Sequence, residues 1–212
     1  MLTEIMSYLL THIDKYYAAV KIHIYISISA VLISIIIAVP LGILCAKHTK
    51  VSQPIMNLFN FFRIIPSLAI LVLVMPIIGT GFFPALLALV VLAIPPILIN
   101  TYLGIQDIDI SVIESAQGMG MEYKKMLCKI EIPLAMPLII TGVRTSAVEV
   151  IASATLASYI GAGGLGDLIF TGLGMNDSRM LIIGGASVAL LSVIVEMLLF
   201  MFQQRVTKYQ RD

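Results

Sequence analysis

Five apolar stretches, each longer than twenty residues, organise the chain: Ile22 to Ala46, Ile55 to Ile78, Phe82 to Tyr102, Leu134 to Ile160 and Met180 to Phe202. At 1.5 Å of rise per residue each one is long enough to cross the roughly 30 Å of hydrocarbon in a bilayer. Strand alternation is absent, and the stretches run far past the ~10 residues of a barrel strand. Lipid admits only helices or closed barrels, because nothing else satisfies every backbone polar group. The pattern therefore predicts an all-α polytopic membrane protein with five transmembrane helices, or six if one stretch is broken in two. Residues 1–212 read as a single transmembrane domain, with no internal repeat and no low-complexity linker.

Composition agrees with that setting. Apolar residues make up 59% of the chain and charged residues 12%, where a soluble domain carries roughly 25% charge. Mean hydropathy is +1.04. Orientation follows from the basic residues near the span ends. Lys47, Lys50, Lys124, Lys125, Lys129, Arg205, Lys208 and Arg211 fall on one side, and only Lys15, Lys21 and Arg179 on the other. The N-terminus is thus expected outside and the segment from Ile105 to Ile132 in the cytoplasm. The first twenty residues lack a basic start, apolar run and small-residue cleavage site, so they read as mature sequence, with an interfacial helix as the expected form. Cys45 and Cys128 have no ligand-spaced neighbours and are expected to stay reduced. His12, His23 and His48 are scattered about span one, so no metal site is expected.

The polar interruption between the third and fourth stretches carries the most information. Ser111 to Leu127 reads as a pair of short amphipathic helices, with Ile113, Ala116, Met119, Met121, Met126 and Leu127 apolar among Glu114, Gln117, Glu122, Lys124 and Lys125. Gly118 and Gly120 mark the turn, since glycine tolerates the positive φ at which two short helices meet at an angle. Pro133 suits the first turn of the next span, where its missing N–H would be unpaired anyway. Flexible methionines suit a surface that docks another protein.

Glu114, Ser115, Ala116, Gly120, Ile130, Ile132 and Pro133 resemble the EAA loop of ATP-binding-cassette (ABC) importer permeases, written Glu-Ala-Ala, three residues, Gly, nine residues, Ile-x-Leu-Pro. The spacing matches throughout, with Ser115 for Ala and Ile132 for Leu as conservative departures. Arg63-Ile64-Ile65-Pro66-Ser67, Asn100-Thr101, Gly142-Val143-Arg144-Thr145 and the run from Gly161 to Phe170 are similar to the osmoprotectant branch, whose permeases carry glycine betaine, carnitine or choline. The resemblance implies a type I ABC importer permease fold, with the loop at about 105–133 lodged as a coupling helix in an ATPase cleft. It also implies two ATPase subunits, a second permease subunit of the same or a similar chain, an extracytoplasmic substrate-binding protein and a place in the plasma membrane of a prokaryote.

The chain itself has no Gly-x-x-x-x-Gly-Lys-[Ser/Thr] phosphate cradle, so ATP and Mg are expected on the partner, with no cofactor and no enzymatic activity here. ATP binding would then close the two ATPases, move the docked loops as rigid bodies and switch the membrane cavity between inward and outward access. No nucleic-acid partner is expected. Two other readings stay open: a permease of the same superfamily for another metabolite such as methionine, and a membrane scaffold without transport. No catalytic constellation for an intramembrane enzyme is visible.

Gly161, Gly163 and Gly166 satisfy Gly-x-Gly-x-x-Gly, but they follow a transmembrane helix rather than a strand and lack the acidic partner of a dinucleotide site. With Gly164 and Asp167 they read either as an outer rim that meets the binding protein or as a tight loop. Arg144, Glu149 and Glu196 are ionisable residues within spans, each costly in lipid unless it faces protein or water. Arg144 and Glu196 lie roughly 15 Å and 12 Å from the inner ends, a common depth that predicts a structural ion pair. Glu149, five residues on and off Arg144's face, either lines the pathway or makes an interhelical hydrogen bond. Arg63, Pro66 and Ser67 interrupt the second stretch as Pro95-Pro96 do the third; such breaks border a transporter cavity or simply kink a helix. No Trp is present and no aromatic cage for a quaternary ammonium is evident, so high-affinity capture is assigned to the separate binding protein.

Overall fold

The computed structural model describes residues 2–208, and among them every regular element is helical. Arg211 of the basic group lies outside the described residues. Helices α1 (Leu2–Thr11), α2 (Ile13–Lys47), α3 (Thr49–Ile64), α4 (Ser67–Ile78) and α5 (Phe82–Gln106) lead into the short α6 (Ile110–Gly118) and α7 (Tyr123–Met126). A π-helical turn, Leu127–Glu131, runs α7 into α8 (Ile132–Ala157); α9 (Leu165–Met175) and α10 (Ser178–Lys208) complete the chain. Four helical runs, α2, α5, α8 with its π turn, and α10, are long and apolar enough to cross a membrane.

The second stretch is a broken span. Its halves α3 and α4 meet at 99°. Pro66 is the cause: it disfavours helical geometry in the residue before it, and Ile65 is extended at φ −73°, ψ 126°. The chain re-enters a helix at once, with the amides of Ala69 and Ile70 donating to the Pro66 carbonyl at 2.9 and 3.2 Å. Pro95 and Pro96 have no such effect. Both are buried within α5, which runs on without a break to Gln106.

Helix α5 is the centre of the packing, held between α2 and α8, while α10 lies against α8 and α9. Two glycines set these crossings. A Cβ on Gly42 of α2 would lie 2.7 Å from Thr101 Cβ, and one on Gly142 of α8 would lie 2.7 Å from the Pro96 carbonyl oxygen. Small residues let backbones approach closely where lipid gives helices no hydrophobic reason to associate. Hydroxyls join the same faces: Ser34 Oγ donates to Val90 O at 3.1 Å and Ser146 Oγ to Ala93 O at 3.0 Å. Gly142→Val is therefore expected to lower the thermal midpoint and yield of the solubilised protein, since overpacking costs about 1–3 kcal/mol. An unchanged midpoint would mean that α5 and α8 separate freely.

Candidate functional site

The loop between α5 and α8 folds as a capped helix, a tight turn and a second short helix. Asp109 caps α6, its carboxylate accepting from the Ser111 amide at 2.9 Å. That hydrogen bond holds the Asp109 carboxyl below the usual carboxylate range. Helix α6 ends in a Schellman motif: the Met121 amide donates to Ala116 O at 3.1 Å and the Gly120 amide to Gln117 O at 2.9 Å, with Gly120 at φ +74°. The turn assigned to Gly118 and Gly120 is thus made by Gly120, while Gly118 closes the helix.

Burial sorts the loop's apolar residues into two groups. Ala116 and Met126 are buried, whereas Ile110, Met119 and Tyr123 are exposed on the outer surface. Glu114, Ser115 and Gly120 lie on that outer surface too, and Ile130 is half-buried. Pro133, in the first turn of α8, follows directly. The loop's outer surface therefore mixes apolar and charged residues.

Arg144 of α8 meets α10. Its guanidinium donates to Glu196 and to Gln203 Oε1 and lies 4.9 Å from the Phe200 ring centroid. Gln203 Nε2 in turn donates to Pro137 O at 3.0 Å and Thr141 Oγ1 at 2.8 Å. Beside this network runs an open groove of about 510 Å³ between α8 and α10. Glu149 lines it along with Arg144 and Glu196. Thr141, Arg144, Thr145 and Val148 form a helical stripe along that groove, and Glu149, off Arg144's face, lines it as well.

Arg63 ends α3, Pro66 sits in the bend and Ser67 opens α4; Arg63, Pro66 and Glu149 are all exposed on the single chain.

At the opposite end, Gly161, Gly163 and Gly164 all have positive φ and form a turn knitted to its surroundings. Ser158 Oγ donates to Gly163 O at 2.9 Å and the Gly81 amide to Ile160 O at 2.7 Å. A Cβ on Gly164 would lie 3.2 Å from His23 Nδ1, and one on Gly166 only 2.0 Å from Thr155 O. Asp167, exposed beside the Ser158 hydroxyl, opens α9. That helix has eleven residues, about 16 Å, which is too short to cross roughly 30 Å of hydrocarbon.

Comparison with known proteins places this geometry. The family described as binding-protein-dependent transport system inner membrane component matches residues 38–208. The chain belongs to that family. It is 44% identical over 185 residues to the carnitine transport permease protein OpuCB of Listeria monocytogenes, covering 87% of this chain and 85% of that one. It is 39% identical over 206 residues, 97% and 95% of the two chains, to the glycine betaine/carnitine/choline transport system permease protein OpuCB of Bacillus subtilis (strain 168). Among solved structures, an inward-facing MetNI methionine ABC transporter superposes with a TM-score of 0.80 at 20% identity, covering 94% of this chain and 97% of that one. That likeness is one of fold: the type I ABC importer permease fold.

Within this permease family member, two polar residues stand out that hydropathy alone did not single out. Glu131, inside the loop motif between Ile130 and Ile132, is completely buried and pairs with Lys47 Nζ at 2.5 Å. It lies four residues before buried Ala135 and eight before buried Ile139, a helical stripe that counting spans from Leu134 had cut off. His23, buried in α2, has Nε2 3.1 Å from Ile151 O.

Proposed function

We propose that this chain is the membrane-spanning subunit of an ATP-driven importer for a quaternary-ammonium compatible solute: glycine betaine, carnitine or choline. The observation that carries the solute class is identity of 39% along almost the whole length of a permease named for these three compounds. The observation that supports coupling is the capped, tightly turned loop from Ile110 to Pro133, with its exposed face of Ile110, Glu114, Met119 and Tyr123. A separate ATPase, holding ATP and Mg, docks there. The basic residues put the loop in the cytoplasm and the N-terminus outside, in the plasma membrane of a prokaryote.

Arg63, Pro66, Ser67 and Glu149 line the path, which forms only when a second permease subunit covers their exposed face. One loop per chain serves one of two ATPases, so the complex holds two permease and two ATPase subunits. The turn from Gly161 to Asp167 is the outer rim, where the solute-loaded binding protein docks. The methionine reading has fold likeness alone in its favour.

Reconstitution with the ATPase and binding protein encoded alongside this chain tests the reading. ATP-dependent uptake of radiolabelled betaine, carnitine or choline into liposomes is the expected result; uptake of methionine instead, or of no solute, would refute it. Native mass spectrometry showing one permease with two ATPases would refute the dimer. For the path, Glu149→Gln is expected to lower the maximal uptake rate about two- to tenfold while half-saturation, set by the binding protein, stays nearly fixed. Wild-type uptake by a stable Glu149→Gln complex would remove Glu149 from the path.

A further inference from the structure

Helix α2 is tied at both ends to elements that the proposed cycle uses. At the loop end, Lys47 in its last turn pairs with Glu131 and lies 5.8 Å from the ring centroid of Tyr123, so one ammonium touches both α7 and the π turn. The preceding carbonyl, of Ala46, accepts from Gln106 Nε2 at 2.8 Å, which adds the end of α5. Towards the other end, ten residues into α2, His23 lies so close to Gly164 that an added Cβ there would come within 3.2 Å of its Nδ1, and its Nε2 lies 3.1 Å from Ile151 O of α8. Between Lys47 and His23 the helix rises about 36 Å, and Gly42 and Ser34 hold it against α5 along the way.

The π turn is what aims the carboxylate. In an α-helix Met126 and Glu131, five residues apart, would face well apart; i→i+5 bonding brings such residues to neighbouring positions on one side, and here the Ile132 amide bonds to Leu127 O. Both side chains are therefore buried against the body. Glu131 has no hydrogen-bond partner besides this ion pair, and a buried carboxylate held only by Lys47 commits the two segments to each other.

We propose that the Lys47–Glu131 pair makes α2 a third helix driven by the coupling loop, beside α5 and α8 to which the loop is covalently joined, and that α2 carries loop displacement to the outer glycine turn. The inference rests on the loop being the ATPase dock. Lys47 and Glu131 are positioning residues in it, remote from solute and nucleotide.

The test uses the complete complex in liposomes, read as assembly, basal ATP hydrolysis, its stimulation by solute-loaded binding protein, and solute moved per ATP. Glu131→Gln and the double variant Lys47→Met/Glu131→Gln, neither of which leaves a carboxylate buried without a cation, are expected to assemble and to hydrolyse ATP at the basal rate, but to lose stimulation and solute per ATP about three- to tenfold. Lys47→Arg, which keeps charge and reach, is expected to behave as wild type. Assembled neutral variants with wild-type solute per ATP would overturn the proposal. So would failure of both neutral variants to assemble while Lys47→Arg does, since the pair would then be a folding element alone. Glu114→Lys, run alongside, separates the two ideas: if it keeps its ATPase and uptake, the docking reading fails, whereas if it loses them while Glu131→Gln stays fully coupled, only the role of α2 fails.

Discussion

Gly120→Pro is expected to cut solute uptake at least about tenfold while the protein remains inserted in the membrane. The Gly120 backbone sits at φ +74°, and its amide donates to Gln117 O in the Schellman turn. Proline is locked near φ −65° and has no N–H, so it fits neither requirement. The turn must open, and α7 then swings relative to α6. The spans, which pack through α2, α5 and α8, do not depend on this turn. Gly120→Ala is the graded control, because a non-glycine residue at positive φ costs about 1–2 kcal/mol without removing the amide.

Glu114→Lys reaches the same end by another route. Glu114 is exposed, so charge reversal is expected to leave the fold intact and, with the loop docked as proposed, to oppose the basic or dipolar group that Glu114 meets on the ATPase. Uptake is expected to fall at least about tenfold for Gly120→Pro and Glu114→Lys. ATPase co-purification should fall with it, while membrane content stays within about twofold. Normal uptake together with normal co-purification in both variants would show that the loop docks nothing.

How much of this was readable from sequence depends on the kind of signal. Four spans were legible because an eighteen-residue apolar run has one structural outcome in lipid. Interruptions were expected at both Pro66 and Pro95-Pro96, and only the first breaks its helix, since a proline's effect depends on whether the freed carbonyls find room or partners. Ile65 and Pro66 lie at the periphery, where the chain is free to bend through 99°, whereas Pro95 and Pro96 are clamped in the core between α2 and α8. The loop motif fixed which residues form the turn. It did not distinguish Met119, which is exposed, from Met126, which is buried, because the π turn shifts the helical register between them and α8. Glu131 was hidden for the same reason: a charged residue in a polar loop looks solvated until the fold closes over it.

Arg144→Leu is expected to remove most of the folded protein, and Arg144→Leu/Glu196→Leu to restore it. Alone, the single change leaves Glu196 on the α10 face with no cation beside it, and a carboxylate within the hydrocarbon costs about 2.5–3.5 kcal/mol. Against a total stability on the order of 5–15 kcal/mol, that lowers the thermal midpoint by several degrees and the yield severalfold. Removing both charges leaves two apolar side chains at a lipid-accessible helix contact, an exchange that is often neutral or stabilising. Glu196→Leu alone should fall between, because Arg144 keeps Gln203 and the Phe200 ring. The expected order of thermal midpoint in detergent is therefore Arg144→Leu lowest, then Glu196→Leu, then the double variant close to wild type. A double variant as unstable as Arg144→Leu would show that the guanidinium acts mainly through Gln203, and through it on Pro137 and Thr141, rather than through Glu196. Uptake by the stable double variant then separates structure from transport. Wild-type rates would make the pair a brace between α8 and α10, whereas a stable but inactive protein would move both charges into the translocation path alongside Glu149, with which they share the groove.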